Sequence, residues 1–191
     1  MSSSNAERSV DDAILDAAAE LIVHLGPRRT QLAEIARRAG VSRPTVYRRW
    51  PDVRAIVGAL LTREILATVA GLAPAAEDRE SFVAAVVETA VRLRDHAVLG
   101  SLLRSDPDTL VEYVVERLGA SQQGMIDALR TAIERGQAHG SIRPGRPTEL
   151  AAMVLLIAQS TVQSHRMVAP LLPEPAWRHE LSAALNGYLK P

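Results

Sequence analysis

Apolar residues recur along this chain at the three- and four-residue intervals of an α-helix, and no stretch alternates convincingly with a period of two. The pattern predicts an all-α protein. A first helix is expected from about Val10 to Leu25, with Ile14, Ala17, Ala18, Leu21, Ile22 and Leu25 on one face and Gly26-Pro27 as its stop. Thr30 is placed to cap a short second helix over Gln31–Arg38, whose Leu32, Ile35, Ala36 and Ala39 face inward, and Gly40 suits the left-handed residue that ends it. Ser42 then caps a third helix from Arg43 to about Arg49, where Pro44 is harmless because a first-turn N–H has no intrahelical partner. Pro51-Asp52 breaks the chain and starts a long fourth helix to about Ala70. After the break "GLAPAAEDRE", helices are expected at about 79–95, 97–104, 107–117, 121–139, 147–168 and 174–189. The expected organisation is an N-terminal tail and three-helix helix-turn-helix head over 1–51, followed by a larger helical bundle over 52–191.

Composition narrows the function classes. With 191 residues, 47% of them apolar, the chain can bury a sizeable core. Its 22 basic and 22 acidic residues cancel, so any nucleic-acid partner must be drawn by a local patch. One such patch exists: between Arg28 and Arg54 eight arginines face two acids, Glu34 and Asp52, a local excess of six positive charges. The absence of cysteine removes disulfides, thiolate chemistry and cysteine metal sites. The opening "MSSSNAERSV" lacks the apolar core of a secretory signal, and the longest apolar run, Ala151 to Ala158, is far too short to span a bilayer. A cytoplasmic protein without a membrane partner is the expectation.

A short helix, the turn "AGVS" and a second short helix together read as a helix-turn-helix, whose second helix enters the DNA major groove with its first residues at the base edges. Arg43 in the first turn is suited to guanine O6 and N7, and Thr45 to a thymine methyl or a phosphate. Tyr47, Arg48 and the helix N-terminal N–H groups suit phosphate oxygens, while Val46 and Trp50 are expected to pack back onto helices one and four. Ser42, Pro44 and Arg54 complete the expected DNA-contacting set. The usual fate of charge runs is a solvated helix face, and Arg28, Arg29, Arg37 and Arg38 are read that way, or as a diffuse attractive rim.

The stretch "ILDAAAELIVHLGPRRTQLAEIARRAGVSRPTVYRRWPDVRAIV" resembles the N-terminal domain of TetR-type transcriptional regulators, through Thr30, Ile35-Ala36, Ala39-Gly40-Val41-Ser42, Thr45, Tyr47 and the aromatic Trp50. The resemblance covers about fifty residues. It implies a homodimer with a small DNA-binding head on each subunit and a helical body that binds a small effector and dimerises through its last two helices. It also implies phosphate contacts from Thr30 and Tyr47. One position departs from the family pattern: Val53 stands where a phosphate-contacting lysine is usual, with Arg54 one step on.

The body carries no quotable family motif. Its apolar positions Leu61, Ile65, Phe82, Val86, Leu99, Leu103, Tyr113, Met125, Leu129 and Met153, with the polar Gln159, are the candidate effector lining, although apolar spacing alone also describes a solid core. The segment 147–168 is apolar nearly all round its first half and must be covered on more than one side. With 174–189 it can form a four-helix contact across a two-fold axis, with Leu156, Gln163, Met167, Trp177, Leu181, Leu185 and Tyr188 as the candidate dimer interface. The histidines 24, 96, 139, 165 and 179 include no i, i+4 pair, so no metal site is expected, and no cofactor. His24, near the end of the first helix, suits the negative end of that helix's dipole. No P-loop, dinucleotide fingerprint, nucleophile elbow or metal cluster calls for an enzyme. The competing expectations are a ligand-released repressor and a sensor or interaction module that keeps the head only for packing.

Overall fold

The computed structural model describes residues 9–70, 78–106 and 119–191. Among these the regular elements are α-helices and one 3-10 turn: α1 Val10–Leu25, the turn Pro27–Arg29, α2 Leu32–Ala39, α3 Arg43–Arg49, α4 Val53–Ala70, α5 Arg79–Asp95, α6 Ala97–Ser105, α7 Ala120–Ala138, α8 Pro147–Val168 and α9 Glu174–Leu189. The helix expected at 107–117 and its Tyr113 lie outside the described residues. None of the described helices is long and apolar enough to cross a membrane.

The described residues form two compact units, 9–63 with 97–106, and 64–96 with 119–191. The expected division at 51/52 is thus displaced, for two reasons. The helix α4 contributes its first eleven residues to the first unit without a break at its start. In addition, α6 packs on α1, where the buried Ser101 hydroxyl donates to the Ile22 carbonyl at 2.8 Å.

The first unit is built by α1, α2, α3, the start of α4 and α6. Ile14, Ala18 and Ile22 of α1 are fully buried with Ile35 of α2, Val46 of α3 and Ile56 and Leu60 of α4. Caps set the helix boundaries: Ser9 accepts from the Asp12 N–H, Ser42 from the Thr45 N–H, and Asp52 from the Ala55 N–H at 2.8 Å. Gly40 closes α2 at φ 69°, a left-handed conformation that a side chain disfavours. Thr30 does not cap α2; Gln31 holds that position, and the buried Thr30 hydroxyl instead donates to the Gly26 carbonyl just after α1, at 2.9 Å.

In the second unit α7 lies along α8, and α5 packs against both α8 and α9. Asp78 and Ser81 form a reciprocal capping box at the start of α5. Phe82, Val83, Val86, Val87, Ala90 and Val91 of α5 are buried with Leu150, Ala151, Val154 and Leu155 of α8 and with Trp177, Leu181, Leu185 and Leu189 of α9. The C-terminal end of α9 is tied down by the loop after α7: the Arg143 N–H donates to the Leu189 carbonyl, and the Arg143 guanidinium donates to the Tyr188 carbonyl while lying 4.6 Å from the Tyr188 ring centre.

Candidate nucleic-acid interface

The seven residues of α3 divide by the helical repeat. Val46 is fully buried and Trp50, one turn on, is half-buried, so these two hold the helix against the unit. Arg43 and Tyr47 stand one turn apart, as do Pro44 and Arg48, and all four are exposed on one side, Tyr47 at 52%. Ser42, Thr45 and the Thr45 N–H form a closed cap, in which the two hydroxyls lie 2.7 Å apart; Thr45 is half-buried by it.

Electrostatics sharpens this division. Several arginines of the patch are neutralised inside the unit: Arg37 donates to Glu34 at 2.9 Å, Arg38 to Glu20 at 2.7 Å, Arg28 to Asp106 at 3.4 Å, and Arg49 is bonded to Asp11 of α1. The Arg37 guanidinium holds the Glu34 carboxyl below its ordinary range, and is itself held protonated by it. Arg43 and Arg48 make no ion pair among the described residues. Arg43 and Arg48 on the exposed side of α3, with Arg29 in the turn before α2, are therefore the arginines of the patch without an ion pair among the described residues, and their charge is available to a polyanion.

Of the other expected contacts, Arg54 is exposed at the start of α4 and Val53 is half-buried beside it. Thr30, to which the resemblance assigns a phosphate contact, is 5% exposed, and its hydroxyl donates to the Gly26 carbonyl just after α1. Sequence reading missed the ties that hold the helices in place. Arg63 of α4 reaches Asp16 of α1 at 2.9 Å and the Asp12 carbonyl at 3.3 Å, and Ser101 reaches α1 from α6. Such pairs join positions about fifty to eighty residues apart, and no local spacing marks them.

The comparisons agree with this geometry. Residues 14–60 match the family model described as bacterial regulatory proteins, tetR family. The chain is 47% identical over 189 residues, 99% of each protein, to an uncharacterised HTH-type transcriptional regulator of Mycobacterium bovis. The chain belongs to the tetR family. As a member it is a helix-turn-helix transcriptional regulator and not an enzyme. Two solved structures share the fold at low identity. One is the transcriptional repressor QsdR of R. erythropolis, with a TM-score of 0.68 and 17% identity over 95% of this chain and 96% of that one. The other is FadR of Bacillus subtilis in complex with stearoyl-CoA, with a TM-score of 0.64 and 19% identity over 93% of this chain and 98% of that one.

The remaining expected sites of this TetR-family chain fare unevenly. Among the candidate effector positions, Leu61, Leu99 and Leu103 belong to the first unit, with Leu61 and Leu99 in its core, because α6 turns its apolar side toward α1. Ile65, Phe82, Val86 and Met125 are buried in the second unit, and Leu129 and Gln159 are half-buried there. Met153 is 43% exposed. Among the candidate dimer positions, Trp177, Leu181 and Leu185 are at most 3% exposed, because that side of α9 is covered by α5 and α8 of its own chain. Leu156 and Met167 are exposed, at 58% and 77%, and Gln163 and Tyr188 are half-exposed.

Proposed function

We propose that this regulator acts as a homodimeric repressor whose two α3 helices enter successive major grooves and which a small molecule releases from its operator. The observation that carries the DNA-binding reading is the exposed, unneutralised side of α3: Arg43, Pro44, Tyr47 and Arg48 together, with Val46 locked beneath them. On that side Arg43 is suited to a guanine edge, and Tyr47 and Arg48 to phosphate oxygens. Arg54 adds a cation at the start of α4 in place of the lysine missing at Val53.

Support for the dimer comes from α8. Met153, Leu156, Ser160, Gln163 and Met167 follow one another at three- and four-residue steps along a single side, none is buried, and the exposed Ala183, Ala184 and Gly187 of α9 offer small surfaces for close approach. A twin copy laid across this side covers it and spaces two heads to meet half-sites about one DNA turn apart. Repression and release are supported by the likeness to QsdR, a transcriptional repressor, and to FadR, whose structure holds stearoyl-CoA. The effector need only bind the non-operator conformation more tightly than the operator conformation.

The test is a gel shift on the DNA upstream of the protein's own gene, with wild type and with the double variant Tyr47→Phe, Arg48→Ala. Specific binding that weakens in the double variant is expected. A protein that ignores this DNA at low salt acts instead as a sensor or interaction module with a structural head.

A further inference from the structure

Three side-chain nitrogens in the second unit are buried with no hydrogen-bond partner among the described residues: Arg94 Nη1 at the end of α5, His165 Nδ1 on α8 and Trp177 Nε1 on α9. The Arg94 guanidinium carbon lies 5.3 Å from the Trp177 ring centre, and the His165 ring stacks on Trp177 with 5.8 Å between centres. Trp177 is 2% exposed, and the Arg94 side chain 9%. Buried polar atoms are nearly always satisfied in native proteins, and an orphan therefore points to a partner that the described residues do not supply. These three residues, from three helices, pack together at one indole and form a corner with three unmatched nitrogens among the described residues.

Its chemistry can be read from the groups that surround it. Arg and Trp nitrogens only donate, whereas a neutral imidazole nitrogen either donates or accepts. The rest of the Arg94 guanidinium is already engaged: Nε with Asp95 at 2.8 Å, and Nη2 with Asp95 at 2.9 Å and Glu174 at 3.0 Å. Arg178 joins Glu174 at 3.1 Å to Glu88 at 3.3 Å, and Arg92 also pairs with Glu88 at 3.0 Å. The positive charge of Arg94 is thus matched by two carboxylates, which leaves nothing to attract an anion. His165 is held neutral by burial and by the nearby Arg94 cation, both of which lower its pKa, and the residue is partly exposed.

We propose that the corner between α5, α8 and α9 binds the uncharged carbonyl oxygen of an amide or ketone on a small molecule, which accepts from Arg94 Nη1 and Trp177 Nε1. His165 Nδ1 then receives an amide N–H where the ligand has one. The site concerns the protein without DNA and does not rest on the operator reading.

The indole N–H resonance of Trp177 tests this directly. The chain has two tryptophans, so the spectrum of Trp50→Phe assigns the Trp177 cross-peak, and the wild-type protein is then titrated with N-methylacetamide, acetate or methylammonium. N-methylacetamide should move the peak saturably, acetate should do so only at higher concentration, and methylammonium should leave it in place. Arg94→Lys keeps a cation beside Asp95 and Glu174 but lacks Nη1, and should weaken the amide about tenfold, as expected for one lost hydrogen bond. The proposal is overturned by a peak that no probe moves saturably, by acetate acting at lower concentration than the amide, or by magnetisation transfer from a long-lived water that no probe displaces. If Arg94→Lys does not fold, the wild-type titration decides alone.

Discussion

Replacing Arg48 by alanine should change how DNA binding responds to salt, whereas replacing Arg37 should not. Both arginines are exposed and both belong to the basic patch, but Arg37 is bonded to Glu34 through two nitrogens and Arg48 has no ion pair among the described residues. A cation already matched by a carboxylate releases few counterions when DNA arrives. In the proposed dimer two copies of α3 reach DNA, so if Arg48 holds a phosphate Arg48→Ala removes two such partners, and at about 0.9 per neutralised phosphate the slope of log K against log salt falls by about 1.8. Between about 50 and 200 mM salt, the wild type then loses affinity about tenfold more than the variant does. The assay is fluorescence anisotropy of a labelled operator fragment, with the dissociation constant measured at four or five salt concentrations for wild type, Arg48→Ala and Arg37→Ala. Equal slope changes for the two variants, or none for either, would refute the assignment of the free charge to α3.

Four further outcomes test other parts of the structure. Val46→Ala empties a fully buried site beneath α3 and should cost about 2 kcal/mol, lowering the melting temperature by roughly 4–8 °C in a chain of this size. Gly40→Ala meets no atom within 4 Å but must adopt φ near 69°, so a loss of about 1 kcal/mol should appear in denaturant melts from backbone strain alone, and Gly40→Asn should lose less. Leu156→Glu, on the exposed side of α8, should leave the helical content unchanged and yield a monomer by light scattering; a dimer that survives it lies elsewhere. Because the folded-state pKa of His165 is depressed, the unfolded chain binds its proton first, so stability should fall as pH drops below about 6.5, and His165→Phe should flatten that part of the profile. The lowered carboxyls of Glu88, Asp95 and Glu174 act separately, with stability lost only below the ordinary carboxylate range.

What could be read in the sequence was what chemistry places close along the chain. The periodic apolar positions, Ser42 as a cap, Gly40 as a left-handed terminator and the split of α3 into Val46 and Trp50 inward, Tyr47 and Arg48 outward, are all decided within a few residues. Trp177, Leu181 and Leu185 show where that legibility stops. Their four-residue spacing says that one side of α9 is covered, and cover by a twin or by the same chain leaves an identical pattern; α5 and α8 settle it in favour of the chain's own core. The same ambiguity applies to Leu61 and Leu99, whose apolar spacing foretells burial but not that their neighbours are those of the first unit.

Charge behaves in the same way. Counting eight arginines against two acids marks the segment 28–54 but does not say which cations remain free, because the acids that neutralise Arg38 and Arg49 are Glu20 and Asp11, outside the segment counted. The helix α1 thus has two roles: its apolar side forms the floor of the first unit, and its acidic side subtracts charge from the flanks of the patch. Two of the arginines left unpaired among the described residues, Arg43 and Arg48, lie on the side of α3 that also carries Tyr47 and Pro44. A uniformly basic head would hold any duplex by its phosphates alone. Two unpaired cations on one exposed helix side make that side the part of the patch best able to meet a groove, the position from which Arg43 is proposed to read a base.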